Sequence, residues 1–153
     1  MVTKDMLKNI DPLLGADLLA LLDGMGHGDE LVLADRNFPA HSVSLHTATR
    51  RLIVERGTDT TAMGRAILSV FPLDGFVETA LWRMQVGGEP DKVLDVHAAL
   101  HAEAERAEGK PVPMASIERH AFYAAAKRAY AVVQTGETRP YGCFILKKGV
   151  VFV

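Results

Sequence analysis

The sequence has almost no cysteine, no excess of positive charge and no long hydrophobic run. Its 153 residues include one cysteine, Cys143, so no disulfide can form within the chain and we expect a reducing, cytoplasmic environment. The formal net charge of −2 gives no reason to expect nucleic acid or an anionic membrane as a partner. No run approaches the roughly 18 apolar residues of a membrane span, and the charged N-terminus lacks the apolar core of a signal peptide. These absences favour a neutral small molecule or a protein as the partner.

Internal repeats are also missing, and no linker is long enough to separate two domains. Because 48% of the residues are hydrophobic, the chain can bury one core, and we predict a single domain over residues 1–153. Strand-like and helix-like segments alternate, which predicts an α/β fold with a central sheet flanked by helices. The predicted strands are 31–34, 52–54, 76–86, 131–133 and 143–146, and the predicted helices are 12–22, 60–71, 90–109 and 117–130.

The stretch from residue 25 to residue 35 combines a histidine, a buried strand and a carboxylate. His27 lies between Gly26 and Gly28, which allow a sharp turn, and the apolar run that follows ends at Asp35. Open α/β sheets place ligand contacts just beyond the strand ends, so His27 and Asp35 are predicted to face one site. A neutral histidine there could act as an acid or a base near pH 7. The pattern is equally compatible with an ordinary helix-ending turn carrying a solvated histidine.

Other histidines carry weaker signals. His97 and His101 stand four residues apart on a predicted helix, which is a spacing found among metal ligands. No third ligand accompanies them, so a solvated helix face is the better interpretation. His41 follows a proline loop and is either a surface histidine or a side chain near the same cleft as His27.

Two further side chains are suited to recognition of a polar ligand. Arg119 offers several donors in a fixed fork, and the Tyr141 phenol can both donate a hydrogen bond and stack. Tyr141 lies between Pro140 and Gly142, in a predicted loop. Cys143, which follows, is predicted to be a small buried side chain rather than a nucleophile.

Motifs near both ends of the chain match, in order, the pattern of one known family. The N-terminal motifs are Met-Gly-His-Gly-Asp-Glu at 25–30, Ala-Asp at 34–35 and Asn-Phe-Pro-Ala-His-Ser at 37–42, and the C-terminal motifs lie at 117–123, 131–133, 135–137, 141–143 and 146–150. The sequence thereby resembles the family of L-fucose mutarotases and D-ribose pyranases. The match is looser between residues 45 and 110.

The resemblance implies an α/β fold assembled into a ring-like homo-oligomer, commonly a decamer, with sites at subunit boundaries. It also implies interconversion of sugar anomers without a metal or an organic cofactor. By position, His27 matches the catalytic histidine of the family. Asp35, Arg119, Tyr141 and residue 143 match positions that contact the sugar.

Three positions bear on the identity of the sugar. Gly28 and Arg119 match the fucose branch of the family, whereas the ribose branch tends to have a histidine at position 119. Position 143 is usually asparagine in the family, and Cys143 is a much weaker donor and acceptor of hydrogen bonds. We therefore predict a mutarotase of L-fucose or a related neutral sugar.

Three alternatives remain open at this point. One is interconversion of the pyranose and furanose forms of ribose. Another is a protein that binds a sugar without turning it over, as an accessory to transport. The third is a metal-dependent enzyme that uses His27, His41 and a carboxylate.

Overall fold

The computed structural model describes residues 6–153, so the charged segment 1–5 lies outside the described residues. The strands form one mixed sheet, and the helices pack on both of its faces. In chain order they are α1 (Ala16–Gly24), β1 (Glu30–Ala34), α2 (Ala40–Ser44), β2 (Leu52–Glu55), α3 (Thr60–Leu68), β3 (Leu81–Met84), α4 (Asp95–Glu108), β4 (Met114–Ile117), α5 (Arg119–Lys127), β5 (Ala131–Thr135) and β6 (Phe144–Lys147). No helix within residues 6–153 is long and apolar enough to cross a membrane.

The six strands of the sheet lie in the order β2-β5-β1-β6-β3-β4. Strand β6 is antiparallel to both of its neighbours, β1 and β3, while the other pairs are parallel. As a result, the carboxyl ends of β1, β3 and β4 and the beginning of β6 meet at one edge of the sheet, which we call the cavity edge. The beginning of β1 and the end of β6 lie at the opposite edge, which we call the His27 edge.

The sheet has a hydrophobic core on each face, where the sequence predicted one core. Strand β1 serves both cores because successive side chains point to opposite faces. Leu31 and Leu33 pack with α1, α3 and α4, whereas Val32 and Ala34 pack with α2 and α5. Helices α3 and α4 approach closely at Gly64, where an added Cβ would overlap the Leu100 side chain.

The strands of the structure differ from the predicted strands in two places. Of the predicted strand 76–86, only Leu81–Met84 is in the sheet, because the apolar side chains of Phe76 and Val77 are exposed. Strand β4 was not predicted, since its sequence Met-Ala-Ser-Ile alternates weakly and its four residues are only half-buried. It pairs with β3 alone at the margin of the sheet.

The predicted helices exist, but they begin later than predicted or end earlier. The first begins at residue 16 because Asp11 caps a separate turn, where its carboxylate accepts the Leu13 N–H at 2.9 Å. The helix predicted from residue 117 begins at Arg119, because the Glu118 carboxylate accepts the N–H groups of His120 and Ala121. The helix predicted over 90–109 spans 95–108, and the one predicted over 60–71 ends at residue 68.

Candidate functional site

A cavity of about 610 Å³ opens at the cavity edge of the sheet. Four of the side chains predicted from the sequence line it: Asp35, Arg119, Tyr141 and Cys143. They come from the end of β1, the start of α5 and the loop before β6, and are brought together by the antiparallel insertion of β6. The other lining residues are Asn37, Phe38, Met84, Gln85, Gly87, Gly88, Glu118, Tyr123 and Pro140.

Asp35 is held rigidly at the end of β1. One carboxylate oxygen, Oδ1, accepts the N–H groups of Asn37 at 3.1 Å and Phe38 at 3.0 Å. Burial raises the pKa of Asp35, while these backbone hydrogen bonds act in the opposite direction. Asp35 therefore forms a strand-end turn and also lines the cavity, as both interpretations of its position predict.

Cys143 contacts Asp35 directly. Its Sγ accepts the Asp35 backbone N–H at 3.4 Å, and the side chain is buried. Burial raises the pKa of the Cys143 thiol well above its usual value, so the group stays a neutral thiol. The prediction of a small buried side chain is confirmed, and the thiol also supports the carboxylate at the cavity wall.

Helix α5 contributes two side chains from one face. Arg119 begins the helix and is exposed at the cavity, and Tyr123 follows one turn later. The Tyr123 ring packs against Phe38, with ring centroids 5.7 Å apart. Tyr123 was not singled out from the sequence, although its spacing of four residues from Arg119 puts both on one helix face.

The pair His97 and His101 does not form a metal site. His97 is buried and its Nε2 lies 2.9 Å from the carbonyl oxygen of Tyr141, while His101 Nε2 contacts the carbonyl oxygen of Val112 at 2.6 Å. Among residues 6–153, no group of three or more His, Cys, Asp and Glu side chains is arranged to hold a metal ion. The predicted solvated face is wrong for His97, which is enclosed by the loop that carries Tyr141.

His27 lies at the other edge of the sheet from the cavity. The five residues of β1 separate His27 from Asp35, a length of roughly 16 Å at the rise of a strand. Within one chain, therefore, His27 and Asp35 do not face one site. A histidine before a strand and a carboxylate after it lie at opposite edges, because the strand crosses the sheet between them.

The loop around His27 is anchored to α1 and β6. Gly28 has φ of 90°, a conformation that favours glycine, and its N–H donates to the Lys148 carbonyl at 2.8 Å. The Asp29 carboxylate accepts the Gly26 N–H at 2.8 Å. The Lys148 ammonium donates to the Leu22 carbonyl at 3.0 Å at the end of α1. A helix-ending turn is thus present, and it fixes the position of the histidine.

His27 is paired with a buried carboxylate. Its Nε2 lies 3.0 Å from Asp74 Oδ1, and the side chains are 48% and 3% exposed, respectively. The Phe76 N–H hydrogen bond, together with His27, lowers the pKa of Asp74. Phe76 also stacks against the imidazole at 5.4 Å between centroids and against Phe152 at 6.2 Å. An imidazole held by a carboxylate is suited to proton transfer.

Asp74 and Phe76 were missed by sequence reasoning, and no local pattern marks them. They lie 47 and 49 positions from His27 and reach it only because β6 carries the chain back beside β1 and the 73–74 segment pairs with Lys148. His41, which was considered as a side chain near the same cleft as His27, is exposed on α2 and does not line the cavity.

The chain matches known proteins over nearly its whole length. Residues 8–151 match the RbsD / FucU transport protein family. The chain is 42% identical over 147 residues to the L-fucose mutarotase of Actinobacillus pleuropneumoniae serotype 5b (95% of this chain, 97% of the relative). It is 43% identical over 147 residues to the fucose mutarotase of Danio rerio, with 95% of each chain covered.

A solved structure agrees with these sequence matches. The fucose mutarotase of Streptococcus pneumoniae, crystallised with L-fucose, superposes with a TM-score of 0.84 and is 36% identical, covering 95% of this chain and all of the other. Family match, sequence identity and fold therefore agree, and this chain belongs to the RbsD / FucU family.

Proposed function

We propose that this protein is a cofactor-independent mutarotase that interconverts the α and β anomers of L-fucose or a related neutral sugar. The observation that carries the proposal is the convergence of Asp35, Arg119 and Tyr141 on one cavity. Its volume of about 610 Å³ lies within the range typical of small-molecule sites. Relatives named L-fucose mutarotase and the solved complex with L-fucose support this choice of sugar.

We further propose that the site is completed by a second copy of the chain. Among residues 6–153, no histidine lines the cavity, and His27 lies half-exposed at the other edge. Around His27, Phe76 and Phe152 are 68% and 78% exposed. Exposure of these apolar rings to water is unfavourable, and a contact with another chain would remove it. Contact between the His27 edge of one copy and the cavity edge of the next is head-to-tail. Repetition of such a contact closes a ring when the rotation between copies adds up to a full turn, which is the arrangement that the expected ring-like decamer requires.

In the proposed reaction the ring of the sugar opens and closes on the opposite face. A proton leaves the anomeric hydroxyl, the bond from C1 to the ring oxygen breaks, and the ring oxygen gains a proton. The C1–C2 bond of the open-chain aldehyde then turns before the ring closes. His27 of one copy carries the proton, and Asp74 orients its imidazole.

Three groups of the cavity hold the sugar during these steps. The Asp35 carboxylate accepts from sugar hydroxyls, because backbone donors fix its Oδ1 while the side chain lines the cavity. Arg119 donates to hydroxyl oxygens, and the Tyr141 phenol can donate, accept or stack. Cys143 supports Asp35 and offers the sugar only weak hydrogen bonding.

The proposed activity belongs to one domain spanning residues 1–153. The family match covers 8–151, which supports this assignment. A cytoplasmic location stays a prediction from the single cysteine, since that compartment keeps thiols reduced.

Saturation-transfer NMR on the anomeric protons of L-fucose tests the proposal. The parent protein is expected to accelerate exchange between the anomers, and His27→Ala is expected to lose about 10²- to 10⁴-fold in rate. A His27→Ala protein that exchanges the anomers at the parental rate would refute the assignment of His27. Full activity after exhaustive chelation is expected, and loss of activity would favour the metal-dependent alternative.

The NMR exchange assay, together with calorimetry, separates the remaining alternatives. Faster interconversion of the pyranose and furanose forms of D-ribose than of fucose anomers would identify a ribose pyranase. Calorimetric binding of L-fucose without any acceleration of exchange would identify a sugar-binding accessory protein.

A further inference from the structure

Tyr141 has a backbone conformation that is unfavourable for a tyrosine. Its φ is 59°, in the left-handed region, and among the described non-glycine residues with positive φ it is the one that lines the cavity. Bulky residues occupy this region only where the surroundings enforce it. The question is which contacts keep Tyr141 in this conformation.

His97 is the side chain that holds the Tyr141 backbone. Its Nδ1 accepts the Leu94 N–H at 3.1 Å, so the ring hydrogen is on Nε2. Nε2 therefore donates to the Tyr141 carbonyl, 2.9 Å away. The ring is fully buried and packs edge-on against Phe144 at 5.9 Å between centroids. Both ring nitrogens are thus used, and the orientation of the imidazole is fixed.

The surroundings keep His97 neutral. Burial lowers the pKa of His97 and outweighs the hydrogen bond to the Tyr141 carbonyl, which acts in the opposite direction; the positive charge of Arg83 on β3 adds to the lowering. Arg83 is itself buried, and its Nε and Nη1 have no hydrogen-bond partner among the described residues. Protonation would also put a hydrogen on Nδ1 of His97. This N–H would then point at the Leu94 N–H, and two donors would face each other. The neutral form with hydrogen on Nε2 is the one that satisfies both contacts.

The residues around Tyr141 prevent the loop from relaxing. An added Cβ on Gly142 would lie 3.0 Å from Glu137 Cγ and 3.2 Å from Val96 Cγ2. On the cavity side, the Tyr141 hydroxyl lies 3.4 Å from the position of a Cβ on Gly87. The chain is therefore packed tightly on both sides of the strained residue.

We infer that His97 is a positioning residue of the sugar site: through the Tyr141 carbonyl it holds the phenol of Tyr141 in the cavity. This inference rests on the proposed role of Tyr141 in holding the sugar. His97 itself touches no sugar, since it lies behind the loop and does not line the cavity.

Two substitutions separate this role from simple packing. In His97→Gln, the side-chain amide nitrogen can reach the place of Nε2 and donate to the Tyr141 carbonyl. In His97→Asn, the side-chain oxygen can take the place of Nδ1 and accept the Leu94 N–H, but nothing reaches Tyr141. Each variant keeps one of the two hydrogen bonds, so their melting temperatures are expected to be lowered by similar amounts.

The expected activities differ between the two variants. We expect His97→Asn to raise the KM for L-fucose by at least about tenfold, with a smaller change in kcat, because the sugar contact is misplaced. His97→Gln is expected to stay within about threefold of the parent. Equal losses of activity in the two variants, in step with their losses of stability, would overturn the inference, as would a parental KM in His97→Asn.

A second measurement requires no sugar. With tyrosine labelled by ¹³C, the Tyr141 ring and carbonyl resonances are expected to shift in His97→Asn and to stay close to the parental positions in His97→Gln. Unchanged Tyr141 resonances in both variants would overturn the inference. If the parent neither binds L-fucose nor exchanges its anomers, the proposed function fails, and this spectroscopic measurement still decides whether His97 positions Tyr141.

Discussion

At the cavity edge of the sheet the polar side chains are held by contacts within one chain, whereas at the His27 edge the histidine lies among exposed apolar rings. Asp35 is fixed by two backbone donors and by Cys143. His27 is hydrogen-bonded to Asp74, and its side chain is 48% exposed. The difference teaches that the residues lining the cavity are fixed by contacts of their own chain, whereas His27 is presented outward. An outward histidine is what the proposed contact between copies requires.

The largest effect is expected when one variant lacks His27, another lacks Asp35, and the two are then combined in one oligomer. His27→Ala is expected to reduce anomer exchange by about 10²- to 10⁴-fold, and Asp35→Asn, which loses a carboxylate that positions the sugar, by about 10²-fold. When the two variants are co-expressed in one ring, an intact His27 meets an intact Asp35 in about a quarter of the head-to-tail contacts. Mixed oligomers isolated through two affinity tags should therefore recover about a quarter of the parental rate, measured by saturation-transfer NMR.

Oligomers carrying two differently tagged copies of His27→Ala are the control, and they should stay inactive. Mixed oligomers that form but recover no activity would contradict a site shared between copies.

The next effect concerns the hydrogen bond between Asp74 and His27. Asp74→Asn is expected to lower kcat on the order of 10- to 100-fold, as is common when the partner that orients a functional histidine is lost. Asp23→Asn is a matched control, because Asp23 is exposed at the end of α1 near the same edge. It should keep the parental kcat. Equal effects of the two variants in the NMR exchange assay would mean that only the local negative charge matters.

The sequence predicted the fold class because its strongest patterns concern burial. The apolar run 31–34 was recognised as a buried strand, and the periodic helices were found with errors mainly at their ends. The half-buried strand β4 escaped, since a marginal strand with small and polar residues has no distinct period. Phe76 and Val77 were assigned to a strand because alternation does not reveal that both side chains are exposed.

The cavity residues were predictable mainly through the family resemblance, which gave Asp35, Arg119, Tyr141 and Cys143 in their places. Local sequence could not show that His27 lies at the other edge from Asp35, because that depends on the direction in which β1 crosses the sheet. Asp74 and His97 could not be found from sequence either. Their roles depend on long-range contacts, to His27 for the first and to the Tyr141 carbonyl for the second.

A moderate effect is expected at the cavity edge from Cys143, which replaces the usual asparagine of the family. Cys143→Asn is expected to improve the KM for L-fucose about tenfold, the size of one net hydrogen bond of about 1.4 kcal/mol. Cys143→Ser is the control, since a hydroxyl can still accept the Asp35 N–H without reaching further into the cavity. If Cys143→Asn instead favours another sugar in an exchange screen over several six-deoxy and unmodified sugars, then L-fucose is not the preferred substrate.

The smallest effect on activity is expected from Glu137, which supports the cavity edge without touching the cavity. Burial alone would raise the pKa of Glu137, but hydrogen bonds from Arg139 and Thr60 outweigh it and lower the pKa from 4.5 to about 2. Because the folded pKa lies below the unfolded one, the stabilisation is complete above about pH 4.5 and is lost as the pH falls towards 2. Glu137→Gln should therefore lower the free energy of unfolding at pH 7 by roughly 2 kcal/mol, with little change in anomer exchange.

The difference between the parent and Glu137→Gln should shrink as the pH falls below about 4.5. Urea unfolding followed by circular dichroism at fixed protein concentration measures it, since the stability of an oligomer depends on concentration. A difference that stays constant from pH 7 to pH 3 would mean that folding does not lower the pKa of Glu137 and that the variant loses packing instead of charge. Loss of anomer exchange in a folded Glu137→Gln protein would mean that the pair of Glu137 and Arg139 also fixes the residues that line the cavity. The cavity edge would then depend on a contact outside the site.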